Sequence, residues 1–233
     1  MVTGGTRGIG YAIADASLQH GSSVFLCGTR QAGVDPAVVR LQSGHGGRVA
    51  GLVCNVRDPH QVRALMRGAE RAYGGLDILV NNAGVGLFRS VETMDPEDWR
   101  ATLETNLSGV FHCCRAAIPL MKRRGAGYII NIGSLAGTDF FPGGAAYSAS
   151  KAGLIGLSEV LMQEVRYDHI RVRCVMPGSV ETEFAHAPAP QGSTRTWKLR
   201  AEDVAAVVID LLRSDPGSLS SRVEIRPSEP KRQ

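Results

Sequence analysis

Residues 3–10 read Thr-Gly-Gly-Thr-Arg-Gly-Ile-Gly, a loop in which Gly4, Gly8 and Gly10 stand at G-x-x-x-G-x-G spacing. Glycine lets the backbone turn tightly and come close to a ligand. A pyrophosphate is favoured where such a loop opens onto a helix N-terminus, and the helical pattern Ile13, Ala14, Ser17, Leu18 follows at once. A loop of this kind should leave a buried strand that is central in a doubly wound sheet. Only Met1 and Val2 precede it here. Either these two residues serve as a stub of that strand, or residues upstream complete it.

The next strand, Val24-Phe25-Leu26-Cys27, ends at Gly28-Thr29-Arg30. An NAD-preferring site usually places Asp or Glu near this point to hold the ribose 2′-hydroxyl, about 20 residues past the loop. The 24-residue step from Gly4 arrives instead at Gly28. No carboxylate repels a 2′-phosphate, and Arg7 and Arg30 can pair with one. The sequence therefore favours NADP(H) over NAD(H).

A third strand, 49–56, ends in Cys54-Asn55-Val56, after which Asp58 and Pro59 read as the N-cap and first residue of a helix. That helix runs to Tyr73 and stops at Gly74-Gly75. Asp77-Ile78-Leu79-Val80 is a fourth strand feeding Asn81-Asn82-Ala83-Gly84, whose small residues suit a cofactor lying across the strand ends. Gly4, Thr6, Arg7, Gly8, Ile9, Gly10, Arg30, Asn55, Val56, Asn82, Ala83 and Gly84 form the expected cofactor set.

Residues 134–151 carry the chemistry. Ser134 follows the apolar run Tyr128-Ile129-Ile130-Asn131-Ile132, where a buried strand ends and a hydroxyl can be presented. Tyr147 and Lys151 are four apart, one helical turn on one face, where the ammonium is expected to lower the phenol pKa. Tyr147 is thus a candidate proton donor and acceptor. Earlier, Asp95 and Pro96 start a helix in which Asn106 lies among apolar Leu103, Val110 and Phe111, so its amide needs partners.

Composition bounds the rest. A chain of 233 residues suits one α/β domain, and 43% hydrophobic with 21% charged residues is ordinary for a soluble protein. No apolar run approaches the length of a membrane span and no signal-like segment opens the chain, so a cytoplasmic location is expected. The five cysteines lack CxxC spacing and read as reduced core residues. The net charge of +4 is mild, and the cluster Lys122-Arg123-Arg124 reads as a solvated helix end rather than a nucleic-acid site. The six histidines show no metal spacing, so no catalytic metal is expected.

In order along the chain stand Thr3-Gly4-x-x-x-Gly8-x-Gly10, Asn81-Asn82-Ala83-Gly84, Asn106, Ser134, Tyr147 and Lys151, and Pro177-Gly178-x-Val180-x-Thr182. The chain resembles the short-chain dehydrogenase/reductase family over essentially its whole length. The resemblance implies an α/β fold: a single doubly wound (Rossmann) parallel sheet of about seven strands with helices on both faces, spanning 1–233 as one NADP-binding domain with a substrate loop around 183–200. It implies that Tyr147 is the general acid/base, that Ser134 polarises the substrate oxygen, and that Lys151 grips the nicotinamide ribose. It further implies that Asn106 holds a relay water and that Pro177, Gly178, Val180 and Thr182 pack on the nicotinamide side. The chain departs from the family's pattern at Asn55, where an Asp is common, and at Val223-Glu224-Ile225-Arg226-Pro227, where many members carry Asp-Gly-Gly.

Apolar pocket walls are expected from Val85, Leu87, Phe88, Leu135, Phe140, Phe141, Met176, Phe184 and Trp197, with Ser134, Phe141, Tyr147 and Phe184 touching substrate. Within the short-chain dehydrogenase/reductase family, the run Lys151-Ala-Gly-Leu-Ile-Gly-Leu-Ser158 looks similar to 3-oxoacyl-acyl-carrier-protein reductases. This resemblance implies a 3-oxoacyl thioester or similar apolar ketone, with an acidic carrier protein docking on Arg123, Arg124, Arg166 and Arg171. The alternatives are a non-catalytic NADP-binding regulator and an oxidative sugar or steroid alcohol dehydrogenase. A homodimer through the helices of Asn106 and Tyr147, carrying Phe111, Leu154 and Leu161, or a homotetramer, is the expected assembly.

Overall fold

A computed structural model of the chain describes residues 1–182, 184, 197–215 and 217–230. The basic tail at Lys231-Arg232 and most of the expected substrate loop lie outside these residues; of that loop, 184 and 197–200 are described.

Strands and helices alternate. Helix α1 (Gly8–Gln19) leads to β1 (Val24–Gly28), α2 (Gln31–His45), β2 (Val49–Val53), α3 (Pro59–Tyr73) and β3 (Ile78–Asn81). Then follow α4 (Pro96–Leu103), a π-helical turn (Glu104–Ser108), α5 (Gly109–Arg124), β4 (Gly127–Ile132), α6 (Ala145–Val165), β5 (Ile170–Pro177), α7 (Ala201–Arg213) and β6 (Arg222–Ile225). The helix ends follow local chemistry. The Asp58 carboxylate accepts from the His60 and Gln61 amides, Pro59 fills the first helical position, and Gly74 closes α3 at φ 76°. Asp95 caps α4 in the same way by accepting from the Glu97 amide.

All strand pairs are parallel. They form two groups, β2-β1 and β3-β4-β5-β6, so the described residues hold six strands rather than the expected seven or so. Val2 occupies the remaining place. It bridges both Leu26 and Val80, its amide donates to Phe25 O at 2.9 Å, and the Thr3 amide donates to Val80 O at 3.0 Å. The stub thus joins the two groups. Because the chain moves outward to β1 and β2 on one side and to β3 through β6 on the other, the strand order reverses at Val2. In an open α/β sheet that reversal opens a crevice at the carboxyl ends of the strands.

Each face of the sheet has its own core. One packs α3, α5 and α6 through residues such as Leu65, Cys113, Ala117, Leu154 and Leu161. The other packs α1, α2 and α7 through Ile13, Leu18, Leu41, Val204 and Val208. Leu154 and Leu161 are buried, which corrects the expectation that they stand in excess of one buried face: α6 spends them on the sheet. Phe111 alone of that trio reaches solvent, at 46% exposure.

Candidate active site

The glycine loop sits at the crevice. Gly4 and Gly8 hold φ of 62° and 54°, a region that favours glycine. A Cβ on Gly10 would stand 2.4 Å from Asn82 Nδ2 and closer still to Gly4 O, so α1 abuts its own loop. Asn82 fastens that loop to the end of β3, donating from Nδ2 to Thr3 O at 3.1 Å and Gly4 O at 3.0 Å. Thr3 Oγ1 returns the contact, accepting from the Asn82 and Ala83 amides at 3.0 Å each. Thr3 opens the glycine motif in the sequence but stands outside the expected cofactor set; its position between the stub and Gly4 was the available signal.

A cleft of about 1350 Å³ runs along the strand ends. Of the expected cofactor residues it is bordered by Gly4, Thr6, Arg7, Gly8, Ile9, Asn55, Val56, Asn82, Ala83, Gly84, Tyr147, Lys151, Pro177, Gly178, Val180 and Thr182. Gly10 lies behind the loop, and Arg30 stands exposed as the N-cap residue of α2. Arg7 is the N-cap residue of α1, so the two arginines mark the helix N-termini on either side of Gly28. Gly28, read from the sequence as the position without an acid, lines the cleft there, and so do its neighbours Cys27 and Thr29, to which the sequence assigned no role. Asn55 Oδ1 accepts from the Arg57 amide at 3.1 Å, so its oxygen is already engaged in a local turn. A separate polar notch of about 480 Å³ between Asn55, Arg57, Glu104 and His112 adjoins this end but contains none of the expected catalytic groups.

At the other end Ser134, Tyr147 and Lys151 meet. Ser134 follows β4, and its Oγ accepts from the Ala136 amide at 3.1 Å, which leaves its proton free to donate outward. Tyr147 lies in the first turn of α6, and a hydrogen bond joins it to the Ser134 side chain. Lys151 is buried and donates from Nζ to Ile132 O at 2.7 Å, with Nζ 5.7 Å from the centroid of the Tyr147 ring. Burial pushes the Tyr147 pKa up, and the Ser134 hydrogen bond pulls it partly back. Burial lowers the Lys151 pKa from 10.5 to about 8. The expectation that Lys151 lowers the phenol pKa is corrected in direction: removal of the phenol from water outweighs the neighbouring groups.

Asn106 does not border the cleft. It is buried in the π turn, a geometry frequent at functional positions. Its Oδ1 accepts from the Val85 amide at 2.8 Å, and its Nδ2 donates to Val85 O at 2.9 Å and Ser150 Oγ at 3.1 Å. Ser150 Oγ in turn donates to Tyr147 O at 2.7 Å. Asn106 therefore ties the turn after β3 to the helix of Tyr147.

Of the expected pocket walls, Val85, Leu87, Phe88, Leu135, Phe141, Phe184 and Trp197 border the cleft. Phe140 and Met176 do not. Phe140 is 71% exposed outside it, and Met176 is buried in β5. The proposed carrier-docking arginines are also misplaced. Arg123 and Arg124 end α5 before β4 begins, and Arg166 and Arg171 flank the start of β5, whereas Ser134 lies past the far end of β4. Arg123 pairs with Glu70 and Arg124 with Asp77. A parallel sheet puts its crevice at the opposite ends of these strands.

The family model for short chain dehydrogenase matches residues 1–191. The chain belongs to the short-chain dehydrogenase family. Within that family it is 37% identical over 188 residues to a 3alpha-hydroxysteroid dehydrogenase of Mediterraneibacter gnavus, covering 80% of this chain and 75% of the relative. It is 38% identical over 187 residues to the 3-oxoacyl-[acyl-carrier-protein] reductase of Salmonella typhimurium, again covering 80% and 75%. A metagenomic short-chain oxidoreductase solved in complex with NADP superposes with a TM-score of 0.84 at 35% identity, over 98% of this chain and 96% of that one. This short-chain dehydrogenase is thus an NAD(P)-dependent oxidoreductase acting on CH-OH groups. Among the described residues no cluster of His, Cys, Asp or Glu is arranged to hold a metal ion, and no helix is long and apolar enough to cross a membrane.

Proposed function

We propose that the chain interconverts a carbonyl and a secondary alcohol with NADP(H), in one NADP-binding domain spanning 1–233. The observation that carries this reading is the convergence of Ser134, Tyr147 and Lys151 at one end of a cleft whose other end is the glycine loop. The loop fits a dinucleotide: Gly10 leaves no room for a side chain beside Gly4 O, and α1 presents its N-terminus to the crevice. Gly4, Thr6, Gly8 and Ile9 would hold the pyrophosphate, Asn55 and Val56 the adenine, and Pro177, Gly178, Val180 and Thr182 the nicotinamide side. When bound, the cofactor supplies the hydride chemistry.

In reduction, Tyr147 holds the proton that its phenol gives to the substrate oxygen, and Ser134 donates a hydrogen bond to that same oxygen. In oxidation Tyr147 takes the proton. Lys151, fixed by Ile132 O, presents its ammonium beside the phenol and would hold the cofactor ribose. Asn106 has both amide protons committed, so its side chain positions Val85 and α6, and any water it holds is met by its backbone or by the second lone pair of Oδ1. Gly28 at the end of β1, with Arg7 and Arg30 at neighbouring helix N-termini, supports NADP(H) over NAD(H). The complex of the metagenomic relative with NADP agrees with this preference.

The substrate is an apolar ketone or alcohol. The carrier-protein reductase relatives favour a 3-oxoacyl thioester, and a carrier would meet Lys198, Arg200 and Arg226 along the cleft, the last two held by Asp203 and by Asp139 and Glu224. The hydroxysteroid dehydrogenase relative favours a second reading, oxidation of a steroid alcohol. A homodimer through α5 and α6, with Phe111 in the contact, and a cytoplasmic location complete the proposal.

Fluorescence titration with NADPH and NADH, followed by rates with a panel of ketones, tests it. Tight NADPH and weak NADH binding with turnover is the expected result. Equal affinities would remove the cofactor preference. Bound cofactor without turnover of any ketone or alcohol would leave a non-catalytic NADP-binding regulator.

A further inference from the structure

The wall around Tyr147 is built of aromatic rings, and two glycines make room for them. Phe88 meets the Tyr147 ring edge-on, with centroids 5.6 Å apart and planes at 80°. Phe184 tilts against the same ring at 5.8 Å and 58°, and Phe141 tilts onto Phe88 at 5.7 Å and 59°. All three border the cleft. A Cβ on Gly86 would stand 2.6 Å from the Phe184 ring and 3.1 Å from Phe88, and one on Gly144 would stand 2.7 Å from the Phe141 ring. Each position lacks a side chain where a ring comes to rest. Phe141 and Phe184 remain 43% and 39% exposed, so their ring surface is available to a ligand rather than spent in a core.

Such a box discriminates by shape. A flat, rigid ring system offers area to the phenyl rings and has few torsions to freeze, whereas an open chain must order its torsions to make the same contact. Aromatic pairing adds roughly 2- to 10-fold per ring beyond the area buried. We propose that this site takes carbonyls and alcohols borne on a ring, aryl or fused alicyclic, in preference to open-chain ketones of equal size, which sides with the steroid-alcohol reading over the linear 3-oxoacyl thioester. Phe88, Phe141 and Phe184 are the specificity-determining side chains, and Gly86 keeps the box open. The inference rests on the oxidoreductase reading above and names the substrate class of that same site.

The test is the ratio of kcat/KM for indanone to that for an open-chain nonanone of equal carbon count, both with NADPH, alongside a linear 3-oxoacyl thioester. The expected ratio is roughly tenfold or more in favour of the ring. Phe141→Leu and Phe88→Leu should each shrink it by about threefold. Gly86→Ala, which presses Phe184 and Phe88 into the cavity, should cost the ring ketone more than the chain. NADPH affinity, read by titration, certifies that each variant is folded. A ratio at or below one, or leucine variants that leave it unchanged, would overturn the ring preference while the oxidoreductase reading stands. NADPH binding with no turnover of any of the three substrates would sink that reading and this inference together.

Discussion

At the residue scale, the catalytic pair is governed by burial more than by mutual attraction. Because burial raises the Tyr147 pKa, the phenol stays protonated through neutral pH, which suits proton donation in reduction. The reductive rate should therefore be flat across neutral pH and decline only at alkaline pH, while the oxidative rate climbs with pH; stopped-flow or steady-state pH profiles in both directions would read this. Tyr147→Phe should lower turnover by about 10²- to 10⁴-fold with NADPH affinity retained. Lys151 gives a stability signature of its own. Its pKa of about 8 in the folded protein lies below the ordinary 10.5, so between these values the unfolded chain binds the extra proton and stability rises with pH. Below pH 8 the buried ammonium opposes folding by a constant amount, on the order of 3 kcal/mol for a shift of this size. Urea denaturation of the wild type relative to Lys151→Met should show the wild type gaining on the variant from pH 8 to pH 10. The types and spacing of Ser134, Tyr147 and Lys151 were legible in the sequence. The direction of the phenol's shift was not, because desolvation depends on Phe88 and Phe184, which come from distant parts of the chain.

At the element scale, the π turn between α4 and α5 decides how the site is braced. One extra residue in the turn carries Asn106 inward, where it holds both backbone groups of Val85 and, through Ser150, the first turn of α6. Asn106→Ala takes these partners from the half-buried Val85 backbone and the buried Ser150 hydroxyl and should cost about 3 kcal/mol in chemical denaturation, with kcat falling more than NADPH affinity because the cofactor loop is untouched. The helix starts at Asp58-Pro59 and Asp95-Pro96 and the stop at Gly74 could be read directly, since a cap needs only its own neighbours. The π turn could not, since its hydrogen bonds are chosen by what Asn106 meets across the fold. Arg173 makes the same point on β5. It is fully buried, donates to Leu211 O and to Ser214 Oγ, and so closes the C-terminal end of α7 from the sheet below.

At the scale of the whole molecule, α6 gives Leu154 and Leu161 to the core and α5 leaves Phe111 at the surface. If the proposed dimer forms through these helices, light scattering should give about twice the monomer mass for the wild type, and Phe111→Glu should return it to the monomer with the melting temperature little changed. The alternation of strands and helices, the glycine loop, the missing acid at Gly28 and the order of the catalytic residues were all determined by the sequence alone. Each depends on residue type and short-range spacing. What only the tertiary structure decided is how separated pieces meet: that Val2 suffices to join the two halves of the sheet, and that Thr3 and Asn82 lock the loop. It also decided that the arginines before β4 face the wrong end for docking, and that Phe88 and Phe184 pack on the Tyr147 ring with Phe141 against Phe88. Those contacts join residues tens of positions apart, and no local pattern encodes which face a packed side chain will find.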